Sequence, residues 1–290
     1  VGGGGLITGS QFVTEFASKG FAAWEGAAFD VARHEGLTPF PFVDLVLSDG
    51  QNHAILKVQS DVLSIGTQAD HIRLPLTPKR AQDIFNLFGW LLPTPWLTYQ
   101  IWRASSVKLT PTPMAPNKGA DLRQYAAHSK VIEEQLNASG AQFGQLIAGM
   151  KKHVVVSNIY QNGKVLIFGW YRPSPDVFDD GKSMAANDRQ PIQPRSNVHG
   201  DFYVDYSHGI QAIGPTVSVN GRIMPTVELY QHPTLSKLVS NEGPVRVPRY
   251  PSNVKTPTPD SLLAKGVMFV PSEPGLANLG LSEIRPKGST

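Results

Sequence analysis

Phe42-Val43-Asp44-Leu45-Val46-Leu47-Ser48-Asp49-Gly50, followed after Gln51-Asn52-His53 by Ala54-Ile55-Leu56-Lys57-Val58, decides the fold class. Two apolar, β-branched runs flank an Asp-Gly pair, a dipeptide that accepts the backbone of a tight turn, so the stretch predicts a hairpin. Strand character continues at Val62-Leu63-Ser64-Ile65 and Ile72-Arg73-Leu74. Helical periodicity lies on both sides. Upstream, Ser10 offers an N-cap for a short helix ending near Gly20. Trp24, Ala27, Ala28 and Val31 then follow at i, i+3, i+4 and i+7 of a second helix that ends near Gly36. Downstream, Pro78 starts a helix with Ala81, Ile84, Phe85 and Phe88 on one face, and a shorter one carries Leu97, Ile101 and Trp102. Asp121 to about Met150 is the longest helical stretch, interrupted at Ser139-Gly140, with Leu122, Tyr125, Ile132 and Leu136 in its first half.

Beyond residue 150 the pattern turns to strands. Val154-Val155-Val156 and Val165-Leu166-Ile167-Phe168 flank Asn162-Gly163, and a second hairpin signal stands at Asn220-Gly221. Between them lies a polar loop at 171–198, longer than the ~12–15 residues usual for a structureless connection. Short helices are expected from Thr226 and near 235–239. The whole reads as a single α+β domain over 10–245, a helix-rich half (10–150) packed on a β-rich half (151–245). A glycine-rich leader at 1–9 precedes it and an extended Pro-rich tail at 246–290 follows. The opening Val1-Gly2-Gly3-Gly4-Gly5 has the look of a processed end. Pro-Thr-Pro recurs at 93–95, 111–113 and 257–259, but the flanking residues share no period, so these are rigid loop segments rather than a repeat.

Composition bounds the function. In 290 residues, 41% hydrophobic and 17% charged content is that of a folded chain, and 24 prolines with 27 glycines favour ordered loops over a helical bundle. A net charge of +3, with a pI near 9.0, permits an acidic partner. No block of about five like charges suggests a nucleic-acid tail. The absence of cysteine removes thiol catalysis, disulfides and Cys-ligated zinc. No apolar run reaches the ~18 residues of a membrane span. Asn137-Ala138-Ser139 fits a glycosylation acceptor, and the expected location is secreted or extracytoplasmic.

The densest chemistry is His199-Gly200-Asp201-Phe202-Tyr203-Val204-Asp205-Tyr206-Ser207-His208. If extended, the run puts His199, Asp201, Tyr203, Asp205 and Ser207 on one face and Phe202, Val204 and Tyr206 on the other. If a turn forms at Gly200-Asp201, His199, Asp205 and His208 could converge as metal ligands. Three readings stay open: a metal site, a metal-free acid/base or nucleophile site, and a structural polar strand. The order His-x5-Asp-x2-His, with Glu228-x3-His232 further on, is similar to that of the zinc D,D-peptidases. The resemblance implies zinc on a His, an Asp and a second His, with a Glu as base. It departs in spacing, being shorter here from the first His to the Asp and longer from the Glu to the last His.

Lys151-Lys152-His153 follows the long helix, where cations offset the negative dipole end or stabilise an oxyanion. His128 sits near that helix's apolar face, as a core histidine or a proton partner. Asp176, Asp179, Asp180 and Gly181 match neither a phosphate loop nor an EF-hand, though three acids could hold calcium loosely. His34-Glu35 lacks the second histidine of H-E-x-x-H, and no G-x-S-x-G elbow occurs. Trp90, Trp96, Trp102 and Trp170 could line a sugar groove or sit buried.

The expected function is hydrolysis of an amide or peptide bond, before a glycosidic one, in a cell-envelope or extracellular polymer. Asp205 and His208 form the acid/base pair, with His199 as second base or ligand. Tyr203 or Tyr206, with Lys151 or Lys152, steadies the oxyanion, Ser207 is a possible nucleophile, and His128 assists. The cofactor is none or zinc. The alternative is a non-catalytic binder or assembly protein that forms homo-oligomers through its tail.

Overall fold

In the computed structural model, which describes residues 7–115, 121–172 and 191–257, the Asp49-Gly50 hairpin is the seed of the central sheet. Strands β1 (Phe42–Ser48) and β2 (His53–Gln59) pair antiparallel from Phe42↔Gln59 to Ser48↔His53. Asp49 Oδ1 accepts hydrogen bonds from the backbone N–H of Gln51 and Asn52 at 2.9 and 2.7 Å, closing the loop between them. Strand β2 is buried along most of its length and therefore needs a partner on its other edge.

That partner comes from far along the chain. After the short pairs β3 (Ser64–Gly66) with β4 (His71–Arg73), and β5 (Val107–Lys108) with β6 (Ile147–Ala148), a second sheet is built from β7 (Lys152–Val154), β8 (Ile167–Gly169), β9 (Gln193–Ser196) and β10 (His208–Gly209). Its order is β10-β7-β8-β9, with β10 parallel to β7. The chain then returns as β11 (Ile213–Val219) and β12 (Arg222–Pro225), completing the central sheet in the order β1-β2-β11-β12. The molecule is mixed α+β. Its two halves interlock in that sheet rather than stacking as a helical half on a β half. One apolar cluster runs from Phe12 and Trp24 through Leu56, Ile84 and Tyr125 to Ile213 and Tyr230.

Helices start and stop where side chains satisfy their open ends. Thr8, not Ser10, caps α1 (Gly9–Phe16), in a reciprocal box with Gln11. Gly20 precedes α2 (Phe21–His34). Thr77 and Thr94 cap α3 (Pro78–Phe88) and α4 (Pro95–Ala104), each with proline at the first turn, where no N–H is needed. Helix α5 (Leu122–Ser139) is shorter than its sequence pattern suggests, because Gly140 ends it in the left-handed conformation (φ 68°). Residues 141–150 leave the helix and supply β6. Asn220 (φ 50°) and Gly221 (φ 79°) form a two-residue turn that joins Val219 to Arg222, as their types dictate. Helix α6 (Thr226–Gln231) and a 3-10 turn at Leu235–Leu238 follow. No helix among the described residues is long and apolar enough to cross a membrane.

One expectation needs correction. The run 199–208 is not a strand. Tyr203 N–H bonds to the Gly200 carbonyl at 3.0 Å and His208 N–H to that of Asp205 at 3.1 Å, so the run folds as two successive turns and only its last residue enters β10. The start of the Pro-rich tail bonds to the rest of the chain. Arg249 donates to Asn86 Oδ1 and the Trp90 carbonyl, Tyr250 OH to the Val155 carbonyl, and Ser252 Oγ to Asp83. Residues 246–257 thus lie against the chain's own body. Residues 258–290, most of the leader, and 173–190 with the acidic loop at Asp176–Ser183 lie outside the described residues.

The β7–β10 junction is tight because Gly209 has no side chain. A Cβ there would stand 2.7 Å from Lys151 Cβ and 3.0 Å from Val62 Cγ1. Gly209→Ala should therefore lower the unfolding free energy by about 1–3 kcal/mol, the usual cost of overpacking a core. Urea denaturation checks this, and an unchanged midpoint would show that the junction has room.

Candidate functional site

Consecutive residues at the start of β7 send their amines to different places. Lys151 is fully buried and donates from Nζ to the Tyr206 carbonyl and, at 2.9 Å, to Nδ1 of His128. Helix α5 supplies that histidine from its buried stripe of Leu122, Tyr125, His128, Ser129 and Ile132. Lys152 reaches instead to Asp205 Oδ2 at 2.8 Å. The parallel register of β10 on β7 sets Lys152 opposite His208, which brings the sequence-distant groups together.

Asp205 is the centre of this network. Oδ2 accepts from Lys152 Nζ and, at 2.8 Å, from Tyr203 OH; Oδ1 accepts from Ser207 N–H at 2.8 Å and from Ser207 Oγ. Burial alone would raise its pKa. The adjacent His208 and Lys152 and the donated hydrogen bonds outweigh that and hold the carboxyl below its usual range. Nε2 of His208 lies 3.9 Å from Asp205 Oδ2, beyond hydrogen-bond reach, and neither ring nitrogen has a partner among the described residues. His199 stacks on the Tyr203 ring at 3.9 Å and 13°, and Tyr203 meets the His208 ring edge-on.

The sequence-derived residues therefore gather in two adjoining groups: Lys152, Tyr203, Asp205, Ser207 and His208 around one carboxylate, and Lys151 with His128 behind it. His199 joins through the Tyr203 ring. His199, Asp205 and His208 do not form a zinc-ligand set, and among the described residues no group of three or more His, Asp or Glu is gathered to hold a metal. The physical reason is occupancy: the Asp205 oxygens already receive four donors, one of them a cation. Glu228 and His232, the other part of the peptidase-like order, sit on α6 and just past its end. There His232 Nδ1 accepts from the N–H groups of Thr234 and Leu235. Trp90, Trp102 and Trp170 are buried, so they do not open a sugar groove.

Burial sets the proton affinities. It lowers His128, His153 and His208 to about 3, 4 and 3 respectively, with the Lys151 ammonium adding to the effect at His128. Burial and the Arg73 guanidinium bring Lys151 down to about 7, against the opposing pull of Asp205 and Asp61. Sequence reasoning missed this second charged centre. Arg73 in β4 is 1% exposed and clasps Asp61 through Nε and Nη2 while reaching Glu133 from Nη1 at 2.6 Å. Arg73 lies between Ile72 and Leu74 and Asp61 just before Val62, and no spacing marks them as partners. Comparison of the chain with protein-family models, with curated proteins and with solved structures returns no match in any of the three.

The chemistry on offer is proton transfer. Burial and the Arg73 guanidinium make the Lys151 amine give up its proton more readily than an ordinary lysine, and it is held against His128. The buried groups also govern stability. Between pH 6.5 and about 4 the histidines of the unfolded chain take up protons that His128, His153 and His208 refuse when folded. Stability should therefore fall as pH drops through that window. Lys151 has the same sign higher up, since the unfolded chain binds its proton up to 10.5 and the folded chain only to about 7. Urea midpoints measured from about pH 7.5 to about 4.5 should decline for the wild type and decline less for His153→Phe. A flat wild-type profile would show that these imidazoles are charged in the fold.

Proposed function

We infer that this chain is a hydrolase of an amide or peptide bond, with a polymer of the cell envelope or extracellular space as substrate, working by metal-free acid/base chemistry. The observation that carries the reading is the fully buried Lys151 amine, lowered to about 7 and held 2.9 Å from His128 Nδ1. An attacking water would lose its proton to neutral Lys151, and the same group, now charged, would return it to the leaving amine. Lys152 and Tyr203, fixed on Asp205, would face the developing oxyanion. The metal-free form is favoured because the Asp205 oxygens are committed to donors. Secretion and polymer choice come from the sequence alone.

A second reading has its own support. Val198 and Phe202 are 69% and 84% exposed on the turn that carries Tyr203 and Asp205, an apolar tip suited to gripping a partner or polymer. The two readings separate in one experiment on the full chain with purified cell-wall sacculi. The hydrolase should release amines, and Lys151→Met, which keeps the apolar stem, should lower turnover by about 10²–10⁴-fold without unfolding the protein. No release by the wild type, together with sacculus binding lost in Phe202→Ala, would replace the hydrolase with the binder.

A further inference from the structure

A cavity of about 180 Å³ lies beside the Arg73 centre, far larger than the ~10–15 Å³ that admits one water. Four of its lining residues carry or can carry charge: Asp61, His71, Arg73 and Glu133. They are unequal in what they have left to offer. The Arg73 guanidinium is committed to two carboxylates, and Asp61 is taken up by Arg73 and by the Val62 N–H at 2.6 Å. Glu133 keeps Oε2 without a partner among the described residues, and its side chain is 39% exposed. Asp61 and Glu133 against Arg73 leave two anions to one cation.

Three further atoms of the lining are orphaned. Ser60 Oγ is buried with no hydrogen-bond partner, and so are Nδ1 and Nε2 of His71, whose side chain is 7% exposed. Buried polar atoms rarely go unsatisfied unless something else completes them. His71 Nε2 lies 3.2 Å from Glu133 Oε1, yet neither ring nitrogen has a hydrogen bond. Glu133 Oε2, Ser60 Oγ and a nitrogen of an unprotonated His71 ring offer three acceptors in one cavity. An ammonium group has three N–H donors and accepts nothing. The wall also holds the amides of Gln68, Asn137, Gln142 and Gln145, and Phe40 stacked on Phe143 at 5.2 Å and 26°, a face that suits an aliphatic stem and a cation.

We propose that this cavity is a binding site for a small organic ammonium, a primary amine on a short aliphatic chain. An anion finds no free donor in Arg73. A divalent metal finds no gathered ligand set among the described residues. The site stands independently of the hydrolase reading, since it uses none of Lys151, Asp205 or His208.

Calorimetric titration of the full chain at about pH 8, above the ordinary imidazole range, tests it with n-butylammonium, n-butyrate and n-butanol as probes. Saturable one-to-one binding of n-butylammonium alone is the expected result. Glu133→Gln should weaken that binding at least ~10-fold, the scale of one charge-assisted hydrogen bond. Phe143→Ala, at an exposed wall position, should weaken it as well, with thermal melts confirming that both variants fold. Absence of n-butylammonium binding to the wild type, equal binding of n-butyrate, or unchanged binding by a folded Glu133→Gln would each overturn the proposal.

Discussion

The buried pairing of Arg73 with Asp61 is the constraint on which the arrangement around the site depends. A guanidinium with 1% exposure cannot stand alone in a protein interior, because the loss of hydration would cost several kcal/mol. Its partners come from the segment after β2 and from α5, and its own backbone N–H bonds to Ser129 Oγ at 2.9 Å. One cation thus holds β4, the Asp61 segment and α5 in register. Removing either charge would strand the other, so the geometry is enforced by the penalty of breaking it more than by the net gain of making it.

The same cation shapes the neighbouring chemistry. α5 turns His128 toward Lys151, and the next residue on that face, Ser129, toward Arg73. Burial lowers the proton affinity of Lys151 first, and the Arg73 guanidinium, which does not yield its own proton, adds to the shift. Lys152, one residue on, faces the Asp205 carboxylate instead and forms an ion pair there. Where the chain enters β7, two adjacent lysines are thus separated into a weakened base and a fixed charge.

Much of the local structure is legible in particular residues. Asn220-Gly221 forms its two-residue hairpin because both residues accept positive φ, and Thr77-Pro78 and Thr94-Pro95 start helices because each pair solves the same end problem with an oxygen and a missing N–H. The clustering of Tyr203, Asp205, Ser207 and His208 was visible too, since the four stand within six residues. The failures were of another kind. The alternation in 199–208 imitates a strand, but the Asp205 carboxylate bonds to Ser207 N–H and closes a turn, a local competition that periodicity does not register. The meeting of Asp61, His71, Arg73 and Glu133 was overlooked because they come from three separate stretches of chain and no spacing links them.

By itself, then, the sequence determined the α+β class, the hairpins and helix starts, the lack of thiol chemistry and the stretch where functional groups concentrate. These follow from interactions within a few residues of one another, which spacing encodes directly. Tertiary structure alone decided that β11 pairs with β2, that Lys152 faces His208 across parallel strands, and that Arg73 meets Asp61 and Glu133. It also decided which lysine is buried, and so which one titrates near neutrality. Charge and hydration energies depend on distance and burial in three dimensions, and neither can be read from position along the chain.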